Sequence, residues 1–156
     1  MKSIIGFLVF SVLLISDIDA QENIPALNKK HFNLKKGIAL DGYDAVSYFN
    51  EKKPVKGDPS VRAISDGVVY YFATEKNKQT FLQNPQKYKP QYGGWCAYAM
   101  GANGEKVEVD PETYKVVNGK LYLFYNAFFN NTLITWNKDE SNLKSKADAN
   151  WKSIFK

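Results

Sequence analysis

Cys96 is the most reactive side chain in this 156-residue sequence, and it is the only cysteine. A thiol can ligate a metal, cycle between redox states or act as a nucleophile. Beyond the N-terminal segment, the other soft donors are Met100, four residues further on, and His31, the only histidine. Sulfur and imidazole donors together suit a transition metal ion such as copper or zinc. Cys96, Met100 and His31 are therefore the candidate metal ligands, within one chain or shared between two.

Catalysis by Cys96 requires partner groups that are scarce in this sequence. A cysteine hydrolase needs a histidine beside the thiol, and His31 lies in a polar N-terminal stretch. A Cys-x-x-Cys redox pair needs a second cysteine, and the sequence has none. Trp95 and Tyr98 flank the thiol with aromatic rings, a setting typical of a buried structural cysteine. The sequence thus favours a non-enzymatic protein, in which Cys96 is buried or serves as a ligand or redox group.

Tyrosines form a second set of candidate site residues, since phenols can line an amphipathic pocket. The tyrosines closest to glycine-containing turns are Tyr43, Tyr48, Tyr70, Tyr71, Tyr88, Tyr92 and Tyr98. Core packing is the alternative role for these rings. A pocket is expected where Gly42-Tyr43-Asp44 meets the segment from Tyr92 to Cys96, because its paired glycines allow close backbone approach. The candidate ligand-binding residues are Tyr43, Asp44, Tyr92, Trp95 and Cys96.

The charge of the chain argues against nucleic-acid recognition. Lysine and arginine total 21 against 16 acidic residues, a formal net charge of +5, but Arg62 is the only arginine. Bidentate reading of bases and phosphates depends on arginine, so no nucleic-acid partner is expected. The scattered lysines indicate a solvated basic surface, with binding to an anionic surface or polymer as the alternative.

The N-terminus resembles a signal peptide over residues 1–20. Lys2 precedes an apolar run from Ile4 to Ile15, and Ala20 offers a small residue for cleavage. The run is too short to span a bilayer as a helix, although an uncleaved anchor is the alternative. We therefore predict a periplasmic or secreted protein with no transmembrane segment after signal removal. Residues 21–37 are predicted to be a polar leader that packs loosely, and residues 38–156 a single domain.

Turn signals and apolar periodicity predict an α+β fold. Asp66-Gly67 separates two β-rich runs, and Asn118-Gly119 separates another two, each as expected for an antiparallel hairpin with a tight turn. Lys106 to Val109 alternates like an edge strand. Two such hairpins, packed against a few helices, form a small single domain of α+β class.

Helices are predicted in two regions of the chain. Thr74 is a suitable N-cap for a helix over Glu75 to Gln83, with Phe81 and Leu82 facing inward. A helical period also begins after Tyr125 and continues into a final helix capped near Asp139. The apolar residues that define this period are Phe128, Phe129, Leu133, Trp136, Leu143, Ala147, Trp151 and Phe155.

Several separated motifs resemble the secreted bacterial branch of the YHS-domain proteins. They are GYDAVSYF at 42–49, YYFATEKNKQTF at 70–81, NPQKYKPQYGGWCAYAM at 84–100, DPETYKVVNGKLYLFY at 110–125 and ADANW at 147–151. The resemblance implies a YHS-like fold, related to the metal-binding TRASH domains. It also implies metal binding through two cysteines, but Ser47 and Ala73 stand at the matching positions here. The chain therefore lacks the thiols that such relatives use.

Three hypotheses for function follow from the residues and the resemblance. The first is an exported, non-enzymatic YHS-type binding or accessory protein that holds a small ligand or a metal ion near Cys96 and Tyr43. The second is a thiol-based redox protein, in which Cys96 cycles through a sulfenic acid or a mixed disulfide. The third is a protein–protein interaction module without a small-molecule site.

Overall fold

The computed structural model describes residues 24–155 of the chain. The helices are α1 (Ile24–His31), α2 (Ser47–Asn50), α3 (Glu75–Gln83), α4 (Pro85–Tyr88), α5 (Ala97–Ala102), α6 (Thr132–Trp136) and α7 (Glu140–Ser153). The strands are β1 (Leu34–Lys35), β2 (Ile38–Ala39), β3 (Asp58–Ser65), β4 (Val68–Phe72), β5 (Asp110–Val117), β6 (Lys120–Phe124), β7 (Asn126–Ala127) and β8 (Asn130–Asn131). Two 3₁₀ turns span Leu40–Gly42 and Gln91–Gly94. Helices packed on antiparallel hairpins confirm the predicted α+β class.

A mixed four-stranded sheet has the strand order β1-β2-β4-β3. Strands β3 and β4 are antiparallel and are joined by Asp66-Gly67, which confirms the first predicted hairpin. Both turn residues have positive φ, 48° and 79°, as a two-residue turn of this kind requires. The side chains of Val68, Tyr70 and Phe72 alternate into the core, because successive strand residues point to opposite faces.

The second predicted hairpin, β5–β6 with its Asn118-Gly119 turn, is also confirmed. Strand β6 is buried on both faces. Leu121 and Leu123 belong to the core beneath the four-stranded sheet, whereas Tyr122 and Phe124 belong to a second core against α5, α6 and α7. The alternation of strand side chains therefore joins two hydrophobic cores through one five-residue strand.

The two cores are built largely from aromatic rings. In the first, Phe81 lies 4.8 Å from Tyr70 and 5.1 Å from Phe72 between ring centroids. In the second, Trp136 packs edge-on against Phe124 at 5.5 Å. Full burial of each large apolar side chain contributes about 1.5–3 kcal/mol. These cores supply the stability that disulfides provide in many exported proteins.

Helix α3 has the predicted bounds and the predicted cap. Thr74 Oγ1 accepts a hydrogen bond from the N–H of Asn77 at 3.1 Å, which satisfies one free amide of the first turn. Phe81 is fully buried as predicted, but Leu82 is 44% exposed, so the expectation that both face inward is wrong. Adjacent residues of a helix point about 100° apart. Because Phe81 packs against the rings of β4, the side chain of Leu82 points away from the sheet.

Two predicted elements differ from the structure. Phe128 and Phe129 do not begin a helix but form the turn between β7 and β8, and α6 begins later at Thr132. Lys106 to Val109 is not a strand. Both errors arose from apolar spacing in short segments, where local periodicity is a weak signal.

The predicted loose leader is wrong for the part of it that the structure describes. Asn28 Nδ2 donates to Asp66 O at 3.0 Å, and Trp95 Nε1 donates to His31 O at 2.7 Å. Strand β1 adds an edge to the sheet. Helix α1 and strand β1 are therefore parts of the domain.

The predicted signal segment, residues 1–20, lies outside the described residues. No helix within residues 24–155 is long and apolar enough to cross a membrane.

Helices α5 and α7 cross at Gly101, and this close approach generates a testable prediction. A Cβ at Gly101 would lie against Leu143 O, well inside van der Waals contact. Gly101→Ala should therefore lower the free energy of unfolding by about 2 kcal/mol, as overpacking a core does. Urea unfolding measures the change. Ala102→Ser, at an exposed position of the same helix, is the control, and equal effects of the two substitutions would contradict the close crossing.

Candidate functional site

Cys96 lies immediately before α5 and is fully buried. Its N–H donates to Val107 O at 2.9 Å, and its carbonyl accepts from the N–H of Met100 at 3.0 Å. It also forms a bridge with Leu123 of β6. The main chain of Cys96 is therefore held by a loop, a helix and a strand at the same time.

The sulfur of Cys96 is part of a closed hydrogen-bond network. The N–H of Tyr125 donates to Sγ at 3.3 Å, and Thr132 Oγ1 lies 3.4 Å from Sγ. The Thr132 hydroxyl donates its single proton to Tyr125 O at 2.9 Å. The contact between Thr132 Oγ1 and Sγ then uses the proton of the thiol. This arrangement is satisfied by a protonated, buried cysteine, whereas redox and nucleophilic chemistry use an accessible thiolate.

Cys96 also lines an open surface depression with a volume of about 380 Å³, which we call the Cys96 depression. Its other lining residues are Tyr98, Ala99, Ala102, Asn103, Glu105, Val107, Tyr125, Asn130 and Thr132. These lining residues belong to α5, the loop after it, strand β8, the start of α6 and the residue that follows β6. Within residues 24–155, the hydroxyls of Tyr98 and Tyr125 have no hydrogen-bond partner. The depression thus combines an apolar floor with unpaired polar groups, as small-molecule sites do.

Asp44, a candidate ligand-binding residue, is fully buried and serves the fold. Its Oδ1 accepts from the N–H of Val46 at 2.8 Å and of Ser47 at 3.3 Å. Its Oδ2 accepts from the N–H of Ala73 at 2.8 Å and from Asn77 Nδ2 at 2.7 Å. Four donors occupy the carboxylate and tie α2, the end of β4 and α3 together. The two positions at which the YHS resemblance would place cysteines, Ser47 and Ala73, both donate a main-chain N–H to this carboxylate.

Tyr43, another candidate, is engaged at the surface of the first core. Its hydroxyl donates to Glu112 Oε1 at 2.7 Å, and Lys56 Nζ lies 4.1 Å from the ring centroid. The hydrogen bond to Glu112 is the main cause that raises the pKa of Tyr43 to about 12. Tyr43 therefore remains a neutral donor, and it does not line the Cys96 depression.

Tyr92 and Trp95 hold the segment before Cys96 in place. Tyr92 is buried in the second core and donates its hydroxyl to Asp148 at 2.9 Å. Burial, followed by this hydrogen bond, raises the pKa of Tyr92 well above its usual value. The indole of Trp95 is hydrogen-bonded to α1. The structure therefore does not gather the five candidate residues into one pocket.

The three candidate metal ligands also have separate environments. Met100 lies one helical turn after Cys96 and is buried in the second core. The His31 ring packs 5.2 Å from that of Phe155, and its Nδ1 lies 3.0 Å from Lys106 Nζ. Among residues 24–155, no group of three or more histidine, cysteine, aspartate or glutamate side chains could hold a metal ion. Of the three candidate metal ligands, only Cys96 lines the Cys96 depression.

Apart from Cys96 and Tyr98, the lining residues were not predicted as site residues, and Tyr125, Asn130 and Thr132 are three of them. Thr132 follows Asn131, whose side chain accepts from the N–H of Leu133 at 3.0 Å and caps α6. An Asn-Thr pair before an apolar run is a readable helix start. That signal locates the start of α6, but nothing local shows that Thr132 packs against a sulfur 36 positions earlier.

Asp44 should behave as a structural carboxylate rather than a ligand. In Asp44→Asn, an NH₂ group replaces one of the two carboxylate oxygens. Donors such as the N–H of Ala73 and Asn77 Nδ2 then face another donor in place of an acceptor. We expect a loss of about 3 kcal/mol in the free energy of unfolding, measured with urea. Asp58→Asn is the matched control, because Asp58 is exposed and only caps a local turn with Ser60. Similar losses in both variants would contradict the structural role of Asp44.

Cys96 should be protected from thiol reagents in the folded protein. We expect its reaction with DTNB to be at least about a hundredfold slower in buffer than in guanidinium, because burial hides the sulfur. A Cys96→Ser variant that also carries Ala102→Cys provides an exposed thiol on the same helix, and it should react rapidly in both conditions. Equal rates for the two folded proteins would restore the redox hypothesis.

Comparison with known proteins adds no assignment to this geometry. No family model matches the chain, and neither a curated protein nor a solved structure matches it. The resemblance to YHS-domain proteins therefore rests on the sequence motifs, and function is argued from the site itself.

Proposed function

We propose that the chain is an exported, non-enzymatic binding protein of YHS type that holds a small organic ligand in the Cys96 depression. The observation that carries the proposal is a surface depression of about 380 Å³ lined by the half-buried Tyr98 and Tyr125, whose hydroxyls have no hydrogen-bond partner among residues 24–155. The Cys96 thiol and the Thr132 hydroxyl are, by contrast, already paired within the protein. Unpaired donors at a partly apolar surface favour a ligand that supplies acceptors and apolar area together.

Support for the YHS assignment comes from the arrangement around Asp44. The positions at which the YHS resemblance places cysteines, Ser47 and Ala73, are far apart in the sequence, yet their main-chain N–H groups donate to the same carboxylate. The main chain at these two positions is therefore close in space, as two ligands of one metal ion require. In this chain the same place is an internal hydrogen-bond centre. Export is supported by the signal-like segment, residues 1–20.

The lining of the Cys96 depression indicates the charge of its ligand. Glu105 is the only charged residue among the lining residues. Tyr98 and Tyr125 also line the depression, and the π-electron faces of tyrosine rings attract cations. A carboxylate and two aromatic rings favour amines over anions. The expected ligand class is therefore a small organic amine with an apolar or aromatic part.

A pair of probes with the same ring and opposite charge tests this function. Tyramine and 4-hydroxyphenylacetate share the phenol ring, but tyramine is a cation and the other probe is an anion. In NMR titrations we expect tyramine to shift the amide resonances of Cys96, Tyr125 and Thr132. The anion should leave these resonances unchanged, because it faces Glu105.

Matched variants locate the binding to the depression. Ala102→Phe places a ring in the depression from an exposed position and should abolish the tyramine shifts. Ala149→Phe makes the same substitution at an exposed position of α7 and should leave the shifts unchanged. Glu105→Gln should weaken tyramine binding roughly three- to tenfold, as loss of one exposed charge pair does. Absence of tyramine shifts in the wild type, or their persistence in Ala102→Phe, would refute the proposal.

A further inference from the structure

Phe128 and Phe129 form an aromatic tip that projects from the domain. Their side chains are 92% and 112% exposed, against complete burial for Phe72, Phe81 and Phe124. They are the two loop residues of the β7–β8 hairpin, in which Ala127 pairs with Asn130. Two adjacent, fully exposed phenylalanines have a large unfavourable contact with water, so the tip is expected to serve an interaction.

The backbone of this tip is unfavourable for the residues it carries. Phe128 and Phe129 have φ of 51° and 63°, in the left-handed region that bulky side chains rarely adopt. The other two-residue hairpin turns of the described chain are Lys36-Gly37, Asp66-Gly67 and Asn118-Gly119. Each of them has glycine at its second position, which suits such a turn. The β7–β8 turn alone among these carries two aromatic residues. Leu40 and Tyr92 also have positive φ, 56° and 53°, but both are buried in the cores, so the tip is distinguished by combining this strain with full exposure.

The base of the hairpin is fixed to the domain, so the tip is held ready for contact. Asn126 Nδ2 donates to Thr113 Oγ1 at 2.9 Å. The N–H of Thr132 donates to Tyr125 O at 3.0 Å, and Asn131 caps α6. A rigid tip loses little conformational freedom when it binds, which strengthens the interaction.

We propose that the Phe128–Phe129 tip inserts into the headgroup region of an anionic lipid membrane. Residues 24–155 carry 19 lysine and arginine residues and 13 acidic residues, a formal charge of 19 − 13 = +6. All but one of these cationic residues are lysines. Lysine is depleted in protein–protein interfaces, but lysine side chains are attracted to anionic lipid headgroups. Residues 125–131 carry no charge, so the inserting part contains no ion to desolvate.

The size of the hairpin matches an interfacial depth. Two paired residues on each strand and the turn extend about 7 Å, at roughly 3.3 Å per strand residue. Interfacial segments bury their apolar groups about 5–10 Å deep. At that depth the amides of Asn126, Asn130 and Asn131 would lie among the polar headgroups. Two inserted rings and a diffuse basic surface are expected to give reversible membrane binding, as a single lipid chain attached to a protein does. Asn130 also lines the Cys96 depression, but this inference rests on the exposed tip and not on the proposed ligand.

Vesicle co-sedimentation tests the inference with the full chain in every variant. The probe is vesicles of phosphatidylcholine and phosphatidylglycerol at 7:3, with pure phosphatidylcholine vesicles as the uncharged comparison. We expect wild type to sediment with the anionic vesicles and several-fold less with the uncharged vesicles. Absence of binding to the anionic vesicles would overturn the proposal and leave the tip to a protein partner. Equal binding to both kinds of vesicle would overturn its electrostatic part.

One double variant separates membrane binding from folding. Phe128→Asn with Phe129→Gly gives this turn the sequence of the Asn118-Gly119 turn. Because Asn-Gly suits positive φ, we expect a higher thermal midpoint than in wild type. Partitioning onto the anionic vesicles should nevertheless fall about tenfold or more, since both rings are removed. Ile64→Ser, which removes a 69% exposed apolar side chain from β3, should partition like wild type. Undiminished partitioning of the double variant would overturn the proposal.

Discussion

Burial of β6 on both faces is the interaction on which the rest of the domain depends. Leu121 and Leu123 face the core of the four-stranded sheet, while Tyr122 and Phe124 face the core of α5, α6 and α7. From Leu121 to Phe124 the strand has no solvent face, so each of these four residues is constrained, and only Lys120 at its start is exposed. Both cores lose packing if β6 shifts by one residue, because each side chain then points to the opposite core.

The environment of Cys96 follows from that constraint. Cys96 is bridged to Leu123, and its sulfur accepts from the N–H of Tyr125, the residue that follows β6. Thr132 closes the network from the start of α6. A thiol held between a strand end and a helix start is a small packing group with satisfied hydrogen bonds. The surface beside the thiol is lined by Tyr98 and Tyr125, whose hydroxyls have no hydrogen-bond partner among residues 24–155.

Three of the hairpin turns share a left-handed backbone conformation but differ in the residues that adopt it. At Asp66-Gly67 and Asn118-Gly119 the residue types agree with the left-handed conformation, and both turns lie in hairpins that build the cores. At Phe128-Phe129 the residue types oppose that conformation, and neither ring packs on the domain. Leu40 and Tyr92 also have positive φ, but both are buried in the cores, so Phe128 and Phe129 differ from them in combining this conformation with full exposure.

The sequence by itself determined the elements whose signals are local. The Asp-Gly and Asn-Gly turns, the Thr74 cap and the span of α3 depend on residues a few positions apart, and they could be predicted with the α+β class. Only the tertiary structure decided that Asp44 is an internal acceptor, that α1 packs on the domain, and that Cys96 meets Thr132. Those contacts join residues 29 to 64 positions apart, so no short-range pattern encodes them. Phe128 and Phe129 were mistaken for a helix because apolar spacing cannot distinguish a buried face from a projecting turn.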